Sequence, residues 1–122
     1  MTNKSKQKGT RAETKVVRFL ESHGLPARRK ALSGSKDQGD IELIGRRISI
    51  EVKAGKQTAS PNRSSLEDWL KQSDAEGRNS NTLCVLCVLR YNRRIEDADV
   101  YIQHKDGMRE HLFLDEFCEK YG

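Results

Sequence analysis

At 122 residues the chain has room for one domain with a modest core, and 34% apolar content leaves little to spare. A formal net charge of +5, from 23 Lys and Arg against 18 Asp and Glu, favours polyanionic partners such as nucleic acid without establishing one. No apolar run is long enough to span a bilayer, and the basic N-terminus lacks the apolar stretch of a signal peptide. Three cysteines in no framework suggest reduced thiols, so a cytoplasmic chain without membrane attachment is expected.

Residues 1–9 are polar and basic and read as a disordered arm ahead of a single domain over 10–122. Thr10 followed by Glu13 makes a capping-box pattern, and the helix it opens runs to about His23, stopped by Gly24 and Pro26. Ala27 to Ala31 can form a short strand, and Ser33 to Gly39 is a loop by composition. Asp40 to Ile44 and Arg47 to Ala54 read as two strands around a turn at Gly45 and Arg46. A second polar loop spans Gly55 to Ser65. A helix follows from Leu66 to Glu76, with Leu66, Trp69, Leu70 and Ser73 inward and Gly77 ending it.

Thr82 to Leu89 is an almost unbroken apolar run and so a buried central strand. Asp99 to Gln103 is a further strand, placed at an edge, and Leu112 to Tyr121 is a terminal helix with Leu114, Phe117 and Cys118 as its apolar side. The order predicts an α/β fold, a mixed central sheet flanked by helices.

Two features stand out chemically. On a helical wheel started at Ala12, Glu13 lies near 100°, inside the apolar arc between Leu20 and Val17. A carboxylate there needs a partner or a metal, unless it merely caps the helix. In ISIEVKA, Ile48, Ile50 and Val52 share one face by period-two alternation, and Ser49, Glu51 and Lys53 share the other. Asp40 opens the preceding strand with Glu42 on its face. A two- or four-residue hairpin loop sets Asp40 opposite Glu51 or Lys53, and an odd loop separates them.

Converging carboxylates beside a lysine suit phosphodiester hydrolysis. Asp40 and Glu51 offer hard oxygen ligands for Mg2+, with the Val52 carbonyl as a third and Glu13 to complete the shell or hold a water. Lys53 can orient that water or stabilise developing negative charge.

An acid in the first helix, an Asp in a strand and Glu-x-Lys in the next strand resemble the PD-(D/E)xK nuclease superfamily, here as Glu13, Gly39-Asp40 and Glu51-Val52-Lys53. The opening KGTRAETKVVRFLESHG and the strand ISIEVKA are similar to archaeal-type Holliday-junction resolvases, most clearly over residues 8–54. Gly39 stands where the superfamily is named for a proline.

The resemblance implies a restriction-endonuclease-like core. It implies a structure-selective endonuclease acting on branched DNA as a homodimer with Mg2+, for which Mn2+ substitutes. Arg29 or Lys30 and Ser33 or Ser35 are then candidates to approach DNA. So are Lys8 and Arg11 at the start of the chain and Lys56 and Arg63 in the second polar loop.

The alternatives are another nuclease of that superfamily (nicking, flap or restriction-type), or a non-catalytic nucleic-acid-binding module whose acids are structural pairs. Cys84 and Cys87 form a C-x-x-C within an apolar strand and read as core filling rather than half a zinc site. His23, His104 and His111 lack metal or triad spacing, and Trp69 reads as a core anchor. Gln72 points either toward the site or into solvent. No phosphate-binding glycine loop indicates a nucleotide cofactor.

Overall fold

The computed structural model of the chain describes residues 4–29, 41–55, 58, 63–80, 82–104 and 108–122. The element order is α1 (Lys4–Ser22), β1 (Ala27–Arg29), β2 (Ile41–Leu43), β3 (Ile48–Lys53), α2 (Arg63–Ser80), β4 (Leu83–Val88), β5 (Asp99–Gln103), β6 (Arg109–Phe113) and α3 (Leu114–Tyr121). A short 3-10 turn, Ile95–Asp97, precedes β5. The six strands form one sheet in the order β1-β2-β3-β4-β5-β6. Strands β3 and β4 pair in parallel, and every other neighbouring pair is antiparallel. A parallel pair needs a crossover, and α2 supplies it. The mixed sheet flanked by helices is the architecture expected from the sequence.

Strand alternation decides which helix covers which face, because residues paired across a ladder share a face. Ile41 pairs with Ile50, Ile50 with Val85, and Val85 with Ile102. These residues form the main core with Val16 and Leu20 of α1 and Leu114, Phe117 and Cys118 of α3. On the opposite face, Leu86 and Val88 pack with Leu70 of α2, joined by Leu66, Trp69 and Tyr101. Glu51 pairs with Leu86 and Lys53 with Val88, so both belong to the α2 face. That face is covered too: Ser49 and Glu51 are buried.

Local signals place the ends of the elements. Leu25 N–H donates to the Leu20 carbonyl at 2.9 Å and Gly24 N–H to that of Glu21 at 3.1 Å, closing α1 with Gly24 at a φ of 83°. This is the double-bonded C-cap that glycine permits, and it seats Leu25 in the core. The β2–β3 hairpin turns through Ile44 to Arg47, with Gly45 at a φ of 82°.

Several boundaries differ from the sequence reading. Helix α1 begins at Lys4, so positions 4–9 of the expected arm are helical and Thr10 lies inside the helix rather than at its cap. Lys and Gln at these positions are good helix formers, which carries the helix past Gly9. Helix α2 starts at Arg63 and passes through Gly77 to Ser80, since one interior glycine costs only about 1 kcal/mol relative to Ala. Strand β5 is not at an edge: β6 pairs along its whole length, and α3 starts at Leu114 instead of Leu112.

Candidate active site

Glu51 and Lys53 project from the C-terminal half of β3, a strand bonded on both sides. Their side chains approach within 3.6 Å (Nζ to Oε1), with 20% of the lysine and 9% of the carboxylate exposed. A nearly dry carboxylate raises the cost of its charge, and the adjacent ammonium offsets part of it. The pair is therefore an acid and a base held together on a shielded sheet face.

Glu13 approaches from α1. Its Oε2 accepts from Arg29 Nε at 2.9 Å, with 17% of the glutamate side chain exposed. Arg29 pairs with Ile41, which puts it on the α1 face of the sheet. Glu13 and Glu51 thus stand on opposite faces but on neighbouring rows, because Ile41 also pairs with Ile50, the residue before Glu51. Glu13 lies in the apolar arc of α1, and its salt bridge to Arg29 is what makes that position tolerable. Arg29, taken as a DNA contact, has that ion pair to make.

Glu42 shares the face of Glu51 and pairs with Arg28 across β1 and β2. Arg11 is exposed on α1, and Gln72 is exposed on α2. Arg63 lies in the first turn of α2 and Lys8 within α1. Asp40, Lys30, Ser33, Ser35 and Lys56 lie outside the described residues. Among the described residues no three His, Cys, Asp or Glu side chains converge as a metal cage.

The loop that leaves β3 is fastened by a residue the sequence reading passed over. Thr58 is fully buried, with its Oγ1 2.7 Å from the Gly55 carbonyl and 2.8 Å from the Leu89 carbonyl. The same oxygen accepts from Tyr91 N–H at 2.9 Å. Leu89 N–H in turn donates to the Lys53 carbonyl at 2.8 Å. The hydroxyl therefore ties the segment after Lys53 to the segment after β4. Thr58→Val keeps the shape but strands the Tyr91 N–H, so a loss of about 1–3 kcal/mol in denaturant unfolding is expected. An unchanged midpoint would show that the loop is held by other contacts.

Cysteine chemistry plays no part in the site. Cys84, Cys87 and Cys118 are free and buried. Burial, with Asp99 and Cys118 adding to it, pushes the Cys87 thiol up to about 12, and Cys118 rises to about 11 by burial and Asp115. Both stay protonated and serve as core filling. His23 is exposed, with Nδ1 2.9 Å from the Phe19 carbonyl at the end of α1.

No protein-family model and no curated protein matches the sequence. Among solved structures the chain is similar to Hjc, a Holliday junction resolvase of the archaeal hyperthermophile Archaeoglobus fulgidus. The TM-score is 0.60 at 19% identity, over 90% of this chain and 99% of that one. No helix among the described residues is long and apolar enough to cross a membrane. The six-stranded mixed sheet and three helices of the described residues share the fold of that resolvase, a restriction-endonuclease-like fold.

Proposed function

We propose that the chain is a Mg2+-dependent endonuclease that resolves four-way DNA junctions by paired nicks. One observation carries the reading: the Glu51–Lys53 pair, shielded on the α2 face of a sheet whose fold is shared with a junction resolvase. Asp40 is covalently joined to Ile41, and Ile41 pairs with Ile50, the neighbour of Glu51.

The donor set suits Mg2+, which needs only one or two carboxylates and completes its shell with water and phosphate oxygens. Asp40 and Glu51 would hold it, with the Val52 carbonyl as a further ligand; Glu13, expected from the sequence to complete that shell, lies on the opposite face of the sheet in its pair with Arg29 and stands outside it. When bound there, the ion polarises the scissile phosphate and acidifies water. Mn2+, equally content with oxygen donors, is expected to substitute.

The residues of the chain do the rest. Glu51 anchors the charge balance of the site, and Lys53, shielded from bulk water, stabilises negative charge growing on the phosphate oxygens. Arg29 holds Glu13 in place. Lys8, Arg11, Lys30, Lys56 and Arg63, with Ser33 and Ser35, contact backbone phosphates, so recognition is by shape rather than base edges. A two-fold homodimer matches a junction, since each active site then meets one of two equivalent strands. The expected setting is the cytoplasm.

The test is a labelled four-way junction beside a linear duplex of equal length, with Mg2+ or EDTA, and an Asp40→Asn control. Symmetric nicks in the junction alone, lost with EDTA and in the variant, are the expected result. Equal cleavage of the duplex would favour another nuclease of the same superfamily, and binding without cleavage would leave only a nucleic-acid-binding module.

A further inference from the structure

The sheet row that carries Lys53 continues across the same face: Lys53 pairs with Val88, and Val88 with Asp99. Two strand spacings put Asp99 roughly 10 Å from Lys53. Asp99 is 3% exposed, a carboxylate buried at the point where β5 begins. Its two oxygens are both engaged. Oδ2 accepts from Arg90 Nε, and Oδ1 lies 2.8 Å from His111 Nε2.

Both of its partners face outward, with 40% of the Arg90 side chain and 49% of the His111 side chain exposed. The His111 ring stacks on Tyr101 at 4.6 Å and an interplanar angle of 7°. Arg90 is held at the backbone as well, because Thr58 engages the residues on either side of it, Leu89 and Tyr91. The guanidinium still has donors beyond the Nε–H given to Asp99. A planar fork fixed in this way meets a phosphate at little entropic cost. Exposed Arg93 follows in the same turn and adds positive potential.

We infer that Arg90, aimed by buried Asp99 with His111 beside it, is an anchor for a nucleic-acid backbone phosphate flanking the one cleaved at Lys53. The inference rests on the nuclease reading above. It adds the β4–β5 side of the sheet to the nucleic-acid surface, where the basic residues picked out from the sequence all lie in the first 63 positions. A purely structural ion pair that closes the β4–β5 connection is the competing account, and it makes a different prediction.

The experiment is junction binding by fluorescence anisotropy in EDTA, as a function of salt, for wild type, Arg90→Gln and Arg90→Lys. For Arg90→Gln the affinity is expected to fall about tenfold and the slope of log K against log salt to drop by about one contact, with Arg90→Lys keeping the slope. A structural role alone would lower the thermal midpoint and leave the slope untouched.

Wild-type protein gives an independent measurement that no folding defect can spoil. Bound junction is expected to shield Arg90 from phenylglyoxal, read by mass spectrometry. A folded Arg90→Gln protein with unchanged affinity and slope would overturn the anchor, as would equal Arg90 modification with and without DNA, while leaving the nuclease reading intact. Wild-type protein that binds no DNA at low salt would overturn both.

Discussion

Glu51→Gln is expected to lower the junction-cleavage rate by about 10²–10³-fold or more while leaving DNA binding in EDTA unchanged or slightly tighter. The substitution keeps the shape of the side chain and removes one negative charge. In a site this dry, that charge is what makes the position attractive to a divalent cation, so the Mg2+ requirement should rise with the loss of rate. Binding should not suffer, because a carboxylate near a phosphodiester repels it.

Stability should move the other way from activity. Glu51 is 7% exposed, and a neutral amide is cheaper to bury than a carboxylate. The expected midpoint is equal to or above that of wild type, even though Lys53 loses its partner, since 20% of the lysine side chain still meets water. Rapid-quench cleavage, anisotropy and thermal unfolding on one protein stock separate the three effects. Full cleavage activity in Glu51→Gln would remove the observation on which the nuclease reading stands.

The strand that carries this pair was the most legible part of the sequence. ISIEVK alternates cleanly, so the division of Ile48, Ile50 and Val52 from Ser49, Glu51 and Lys53 needed no tertiary information. What alternation cannot say is whether the polar face meets water. Here it is buried, on the face where α2, the β3–β4 crossover, packs over the neighbouring strand β4. The burial of Ser49 and Glu51 follows from topology, not from local pattern.

Strand β6 was missed for the opposite reason. In REHLF only Leu112 is an aliphatic inward-facing residue, and its companion Glu110 is held by His104, Lys120 and Tyr121 rather than by apolar packing. A strand that satisfies its inner face with ion pairs leaves no hydrophobic period to detect. The role of Asp99 was hidden with it, since His111, on β6, supplies one of its two partners. Glu13 shows a middle case: the wheel identified an acid in an apolar arc, but the cation that answers it lies sixteen residues away on another element. Asp40 and the loop before it lie outside the described residues, so the sequence remains the basis for their assignment.

Phe117→Ala is expected to cost about 3–5 kcal/mol, the usual range for emptying a fully buried aromatic position. For a chain of this size that corresponds to a fall of roughly 12–20 °C in the unfolding midpoint. Phe117 is completely buried and stacks on Tyr121 at a centroid distance of 5.0 Å. It belongs to the core that also contains Val16 and Leu20 of α1 and the α1 face of β3, β4 and β5. Leu114 and Cys118 of the same helix are buried in the same core and keep α3 seated, so the cavity has little means of collapsing.

The consequence for activity separates the two faces of the molecule. Phe117 belongs to the α1 face, while Glu51 and Lys53 lie on the α2 face beyond the sheet. Below its lowered midpoint the variant should therefore cleave at a rate within a few-fold of wild type, because the sheet transmits the loss as stability and not as displacement of the pair. Thermal unfolding with cleavage assayed well below the midpoint checks both halves. A folded Phe117→Ala protein that binds junctions but cleaves about 100-fold more slowly would mean that α1, and Glu13 with it, sets the chemistry through the sheet.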